Sequence, residues 1–193
     1  GSSLGWVSDD VFSQRKFPKE IIVVGAGFIA CEFSCIFNSL GVKVTQLVRK
    51  DYLLSDFDRE LTDALKESMI EKGIVFRFNE TPLSISGKPG ELNLLTSSGE
   101  SIKCGAILFA IGRSPFLEGL NLEKAGVNID FDKVNVDINH QTNISNVYAL
   151  GDVTDRVNLT PVAIDEGRAF ADRLFGDRLR TVDYELVPSA VFS

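Results

Sequence analysis

Histidine, methionine and tryptophan each occur once in this chain, and cysteine only three times. The three thiols, Cys31, Cys35 and Cys104, are an odd number at spacings that match neither a disulfide framework nor a zinc site, so they read as reduced thiols. Cys31 and Cys35 lie four apart and share a face of an expected helix. They are either a redox pair or small buried apolar residues, and the second reading is simpler. The single histidine, His140, sits in a polar stretch and reads as a surface residue. No apolar run approaches the roughly 20 residues that span a bilayer, and the opening GSSLGWVSDD has no charged segment followed by an apolar one. A soluble cytoplasmic protein is expected, with an organelle stroma or matrix left open. A basic run is also missing, and the formal charge of −7 argues against a nucleic-acid partner, because phosphate binding needs a basic stripe.

What is present is an ordinary globular balance, 44% hydrophobic and 24% charged over 193 residues. Glu20-Ile-Ile-Val-Val-Gly25 is a short continuous apolar run, as expected for a parallel strand buried on both faces. Residues 27–40 place Ile29, Phe33, Ile36, Phe37 and Leu40 at spacings of three and four, which predicts a helix closed by Gly41. Val42 to Val48 predicts the next strand, completing a βαβ unit. Ser55-Asp56-Phe57-Asp58 resembles a capping box ahead of a helix over 57–72, and Ile74 to Phe78 alternates as a strand. Short strand-like runs separated by turn residues then suggest an antiparallel meander, and Ile107 to Gly112 returns to the parallel sheet. Further on, Thr160-Pro161 predicts a capped helix start, and the last thirteen residues read as a strand. The fold class is therefore α/β: a Rossmann-type βαβ sheet with an antiparallel β-meander insertion, followed by a partial second segment.

Gly25-Ala26-Gly27-Phe28-Ile29-Ala30 is G-x-G-x-x-A set between a strand and a helix. Gly25 allows the tight turn, Gly27 lets the backbone approach a pyrophosphate, and Ala30 permits close packing of helix on strand. The first-turn N–H groups, Ile29 among them, would face the phosphates. An NAD site places a carboxylate near the end of the second strand. Here Val48 is followed by Arg49 and Lys50, cations that would attract a 2′-phosphate, so NADPH is the expected ligand. A solvated pair of loop charges is their alternative.

The segments GAGFIACEF, VRK followed by Phe57-Asp58, AIGRSP at 110–115, and TNISNVYALGDVTDRVNLTPVAIDEGR at 142–168 together resemble the glutathione reductases, among the two-dinucleotide-domain flavoprotein disulfide reductases. The resemblance implies FAD as a second cofactor, oxidised glutathione as the disulfide substrate and a homodimer for the full protein. Phe28 falls where the family commonly has a tyrosine gating the nicotinamide pocket, and Glu32 matches a glutamate that pairs with a flavin-side lysine. Gly112 and Arg113 match the segment beside the nicotinamide. Gly151 and Asp152 match the turn whose aspartate binds the flavin ribityl chain, and Leu159 with Thr160 matches the helix start facing the flavin ring. Ser55 departs from the pattern, because the family commonly offers a second arginine there. No second GxGxxG, no C-x4-C disulfide and no late His-Pro-Thr occur. No catalytic residue is therefore assigned, and this stretch alone is expected to be colourless and inactive. The implied division is a linker over 1–17, an NAD(P)H-binding domain over 18–113, a central segment of the FAD domain over 114–180 and the start of a dimerisation domain over 181–193. The competing readings are a related oxidoreductase with another acceptor and a non-catalytic NAD(P)-sensing module.

Overall fold

A computed structural model describes all 193 residues, which form two compact units: Gly1–Gly112 together with Ala190–Ser193, and Arg113–Ser189. In the first unit, four parallel strands, β1 (Glu20–Val24), β2 (Lys43–Val48), β3 (Val75–Phe78) and β7 (Ala106–Phe109), lie in the order β3-β2-β1-β7. Between β3 and β7 the chain makes the antiparallel meander β4 (Pro82–Lys88), β5 (Glu91–Thr96) and β6 (Ser101–Cys104).

The unbroken apolar run of β1 has a direct cause. Side chains alternate along a strand, and both faces of this sheet are covered. Ile21 and Val23 join Val44, Val48 and Leu108 in one core with Ala30, Cys31, Phe37 and Met69 from the helices. Ile22 and Val24 join Leu47 and Ile107 in a second core with Ile85, Leu92 and Leu94 from the meander. Each such fully buried side chain contributes roughly 1.5–3 kcal/mol.

Two helices line the first of these cores. Phe28–Ser39, here α2, starts immediately after the glycine turn, and Arg59–Glu71, here α3, starts at Asp58, whose carboxylate accepts the Glu60 N–H at 2.9 Å. The helix therefore begins later than the expected cap at Ser55. Residues 1–17, read from sequence as a linker, are packed. A short helix, α1 (Ser8–Phe12), buries Val11, and Trp6 pairs with β7 by donating to Ile107 O at 2.7 Å and accepting from Phe109 N at 2.8 Å.

The second unit is sparser. Its only strands are the two-residue pair β8 (Ile129–Asp130) and β9 (Lys133–Val134), and its one long helix is α4 (Thr160–Phe175), with Leu159 rather than Thr160 at the N-cap. Residues 181–193, expected as a strand, contain none. No helix in the structure is long and apolar enough to cross a membrane.

Candidate dinucleotide cleft and a buried polar network

A cleft of about 560 Å³ opens where β1, β2 and β7 end, lined by the glycine turn, Phe28, Arg49, Lys50, Tyr52, Ser55, Glu80 and residues 109–112 among others. Gly25 has φ +142°, and a Cβ there would stand 2.2 Å from the Ala110 carbonyl oxygen, so only glycine fits. The same imaginary atom would lie 3.3 Å from Ala30 Cβ, which explains why the position after the helix start holds a small residue. A Cβ at Gly27 would meet nothing within 4 Å, leaving open space at the floor of the turn.

The first turn of α2 has no side-chain cap, and its first backbone bond runs from Cys31 N to Gly27 O at 3.1 Å. The Phe28, Ile29 and Ala30 N–H groups are thus left as free donors, as helix N-termini leave them. Free donors, positive helix-end potential and open space together suit a phosphate.

The rim of the cleft carries cations. Arg49 and Lys50 are exposed at the end of β2, Lys50 Nζ donates to the Tyr52 hydroxyl at 2.6 Å, and the Arg59 guanidinium lies 5.0 Å from the Tyr52 ring centre. Ser55 donates only to the neighbouring Asp56, at 3.3 Å. The structure brings Gly25, Gly27, Phe28, Arg49, Lys50 and Gly112 into one cleft; Phe28 is half exposed there. Ile29 and Ala30 lie in the helix turn behind it. Glu32 accepts the Phe192 N–H at 3.0 Å. Sequence reasoning missed Tyr52, which lines the cleft, because a tyrosine in a polar loop carries no spacing signal.

In the second unit, Gly151–Thr154 forms a tight turn whose Gly151 has φ +72°, with Asp152 exposed. Leu159 and Thr160 begin α4, again without a side-chain cap. An exposed carboxylate suits sugar hydroxyls, and uncapped N–H groups suit a developing anion. Arg113 is also exposed in this unit.

His140 is not at the surface as expected; it is 1% exposed. Its Nε2 stands 3.0 Å from the Tyr184 hydroxyl, which donates to Glu166 Oε1 at 2.7 Å, while Glu166 Oε2 accepts the Gly151 N–H at 2.5 Å. Arg156 Nη1 also donates to the Tyr184 oxygen, at 3.3 Å. With the tyrosine proton committed to Glu166, His140 must present a protonated Nε2, and its Nδ1 is buried without a partner. Burial pushes the His140 pKa down; Glu166 pulls it back, and Arg156 and Arg173 add to the depression. Burial and Glu166 push the Tyr184 pKa up. A polar surrounding sequence hid this cluster, since nothing local marks a histidine that pairs 44 residues away.

The geometry defines a dinucleotide-binding α/β protein. The family model for pyridine nucleotide-disulphide oxidoreductases matches residues 5–167, and the chain belongs to that family. The glutathione reductase of Burkholderia cepacia is 41% identical over 194 residues, covering 100% of this chain and 43% of that protein. The trypanothione reductase of Trypanosoma congolense is 39% identical over 191 residues, covering 96% and 39%. Among solved structures, the HOCl-induced flavoprotein disulfide reductase RclA of Escherichia coli superposes with a TM-score of 0.86 at 26% identity, covering 92% of this chain and 41% of that one. The chain thus spans less than half the length of the relatives it matches. FAD and NADPH are the cofactors of the glutathione reductase family.

Proposed function

We propose that the chain supplies the NADPH site and half of the FAD site of a disulfide reductase of the glutathione-reductase type. The observation that supports it best is the cleft itself, with uncapped N–H groups at the glycine turn and the Arg49-Lys50 pair at its rim. When bound, NADPH supplies hydride that FAD passes on to a disulfide. The residues of this chain hold and orient: the glycine turn and the Phe28–Ala30 N–H groups receive the pyrophosphate, and Arg49 with Lys50 receives the 2′-phosphate. Phe28 and the Gly112-Arg113 segment border the nicotinamide, and Glu32 pairs with a lysine on the flavin side. On the flavin side, Asp152 takes the ribityl hydroxyls from the Gly151 turn, and the Leu159-Thr160 helix start faces the ring.

Oxidised glutathione is the favoured acceptor and a homodimer the favoured assembly of the full protein. The likeness to a trypanothione reductase keeps a second disulfide acceptor in view. A sensing module without catalysis has no use for the Gly151-Asp152 turn.

Calorimetric titration with 2′-phospho-AMP against AMP tests the NADPH site. A charge-assisted hydrogen bond is worth about 1.5–3 kcal/mol, and exposure reduces it, so a preference of roughly tenfold for the 2′-phosphate is expected. It should shrink with salt and vanish in the Arg49→Ala/Lys50→Ala variant. Equal affinity for the two ligands in the parent protein would sink the NADPH reading.

A further inference from the structure

Gln46 is out of place by composition. It sits in β2, opposite Val23 of β1, in a sheet whose other interior positions are aliphatic, and it is wholly buried. Its Nε2 donates to the Gly25 carbonyl at 3.0 Å and lies 3.9 Å from Cys31 Sγ, whose thiol burial pushes up to about 11 and so keeps neutral. Its Oε1 has no partner. The amide cannot be turned round, because that would set Oε1 against the Gly25 oxygen, acceptor facing acceptor. An unpartnered buried amide oxygen is costly, and the structure carries that cost while holding this one carbonyl.

The carbonyl matters because of the peptide it belongs to. In the planar trans unit joining Gly25 to Ala26, the C=O and the N–H point in opposite directions. Drawing the Gly25 oxygen inward onto Gln46 therefore turns the Ala26 N–H outward, on the side of the cleft that Ala26 lines. That N–H makes no hydrogen bond within the protein. The two neighbouring anchors are already fixed: Gly25 N donates to Leu47 O at 3.0 Å, and Ala26 O accepts from Leu54 N at 2.8 Å. The Gly25 carbonyl receives no backbone donor, so the tilt of this peptide is the freedom that Gln46 removes.

We infer that Gln46 is a positioning residue for the pyrophosphate: it locks the Gly25-Ala26 peptide so that the Ala26 N–H stands ready as a phosphate donor beside the free N–H groups of α2. The inference rests on the dinucleotide reading given above. Gln46 does not touch the ligand; it acts through the peptide plane.

The test compares NADP⁺, which has the pyrophosphate, with adenosine 2′-monophosphate, which lacks it. Gln46→Met keeps the length of the side chain and removes the donor. NADP⁺ affinity should fall about tenfold, close to 1.4 kcal/mol, with adenosine 2′-monophosphate unchanged within about twofold. In the parent protein, NADP⁺ should shift the Ala26 amide in a ¹H–¹⁵N spectrum, and the variant should lose that shift. Gln46→Glu supplies a second reading. Its protonated carboxyl donates to the Gly25 oxygen and its ionised form cannot, so NADP⁺ affinity relative to the parent should recover as pH falls. A side chain that merely fills space would give no such profile. Equal weakening of both ligands, or an Ala26 amide indifferent to NADP⁺ in a parent that binds it, overturns the inference alone. A parent that binds neither ligand overturns the dinucleotide reading, and this inference with it.

Discussion

The two units of this chain are held together by different physics. Gly1–Gly112 is built on two apolar cores, one on each face of a parallel sheet, and its buried polar side chains are few. Arg113–Ser189 buries little aliphatic surface, chiefly Val127, Val134, Val162 and Ala169, and encloses His140 and Glu166 instead. An apolar core is indifferent to pH and tolerates changes in its polar rim. A buried polar network is directional, and each member left without its partner costs the desolvation of that group. The contrast separates a sheet packed by apolar side chains from a turn held by directional hydrogen bonds.

The largest effect that sharpens this contrast is expected in the apolar unit. Leu108→Ala, on a side chain with no exposure, should cost about 2–5 kcal/mol, read as a lowered urea midpoint. A loss below about 1 kcal/mol would mean that the sheet core is far looser than its burial implies.

Next is the polar unit. Glu166→Ala strands both the Gly151 N–H and the Tyr184 O–H, and about 1–3 kcal/mol should be lost per stranded group. Glu166→Gln, which retains an acceptor of the same shape, should recover part of the loss. If the alanine and glutamine variants are equally stable, the hydrogen bonds do not hold the turn.

A pH titration separates the units more finely. The folded pKa of His140 lies below its ordinary 6.5, chiefly through burial, so below pH 6.5 the unfolded chain takes up the proton first. The stability contributed by the neutral ring is complete above that pH and declines as pH falls through 6.5 toward the lower folded value. Glu166, Tyr184, Arg156 and Arg173 are the ionisable groups that face it. Tyrosine fluorescence or NMR signals from the second unit should report loosening as pH falls below 6.5 while signals from the sheet stay constant. His140→Gln should flatten that profile; an unchanged profile would remove His140 as its cause.

Thiol labelling gives a smaller distinction. Burial pushes Cys31 and Cys104 up to about 11 and raises Cys35 by a lesser route, with Cys35 alone partly exposed. Near pH 8 a soluble disulfide reagent should modify Cys35 first, and the other two only on unfolding. Smallest of all, Lys43→Ala removes an exposed ion pair with Glu20 and should leave the urea midpoint unchanged.

The glycine turn was legible in sequence because its requirements are local. A strand, a residue with positive φ and a helix start follow one another within a few positions, and the cations at Arg49 and Lys50 follow from counting to the end of the next strand. The meander was legible for the same reason, since turn residues punctuate it. Misplacements came where several residues compete for one role: Asp58 took the cap expected at Ser55, and Leu159 the one expected at Thr160. The packed N-terminal segment was not legible, because the pairing of Trp6 with β7 joins residues a hundred positions apart.

What the sequence determined by itself was therefore the fold class and the placing of a glycine turn and two cations beside one another, both written in short-range pattern: period, punctuation and the sign of charge. Only the tertiary structure decided that His140 is buried against Tyr184 and Glu166, that Tyr52 stands between cations, and that Gln46 reaches the Gly25 carbonyl. Such contacts arise from the packing of distant segments. A polar residue carries no local mark of whether its partner will be water or another side chain, and burial, which only the assembled chain creates, makes that choice.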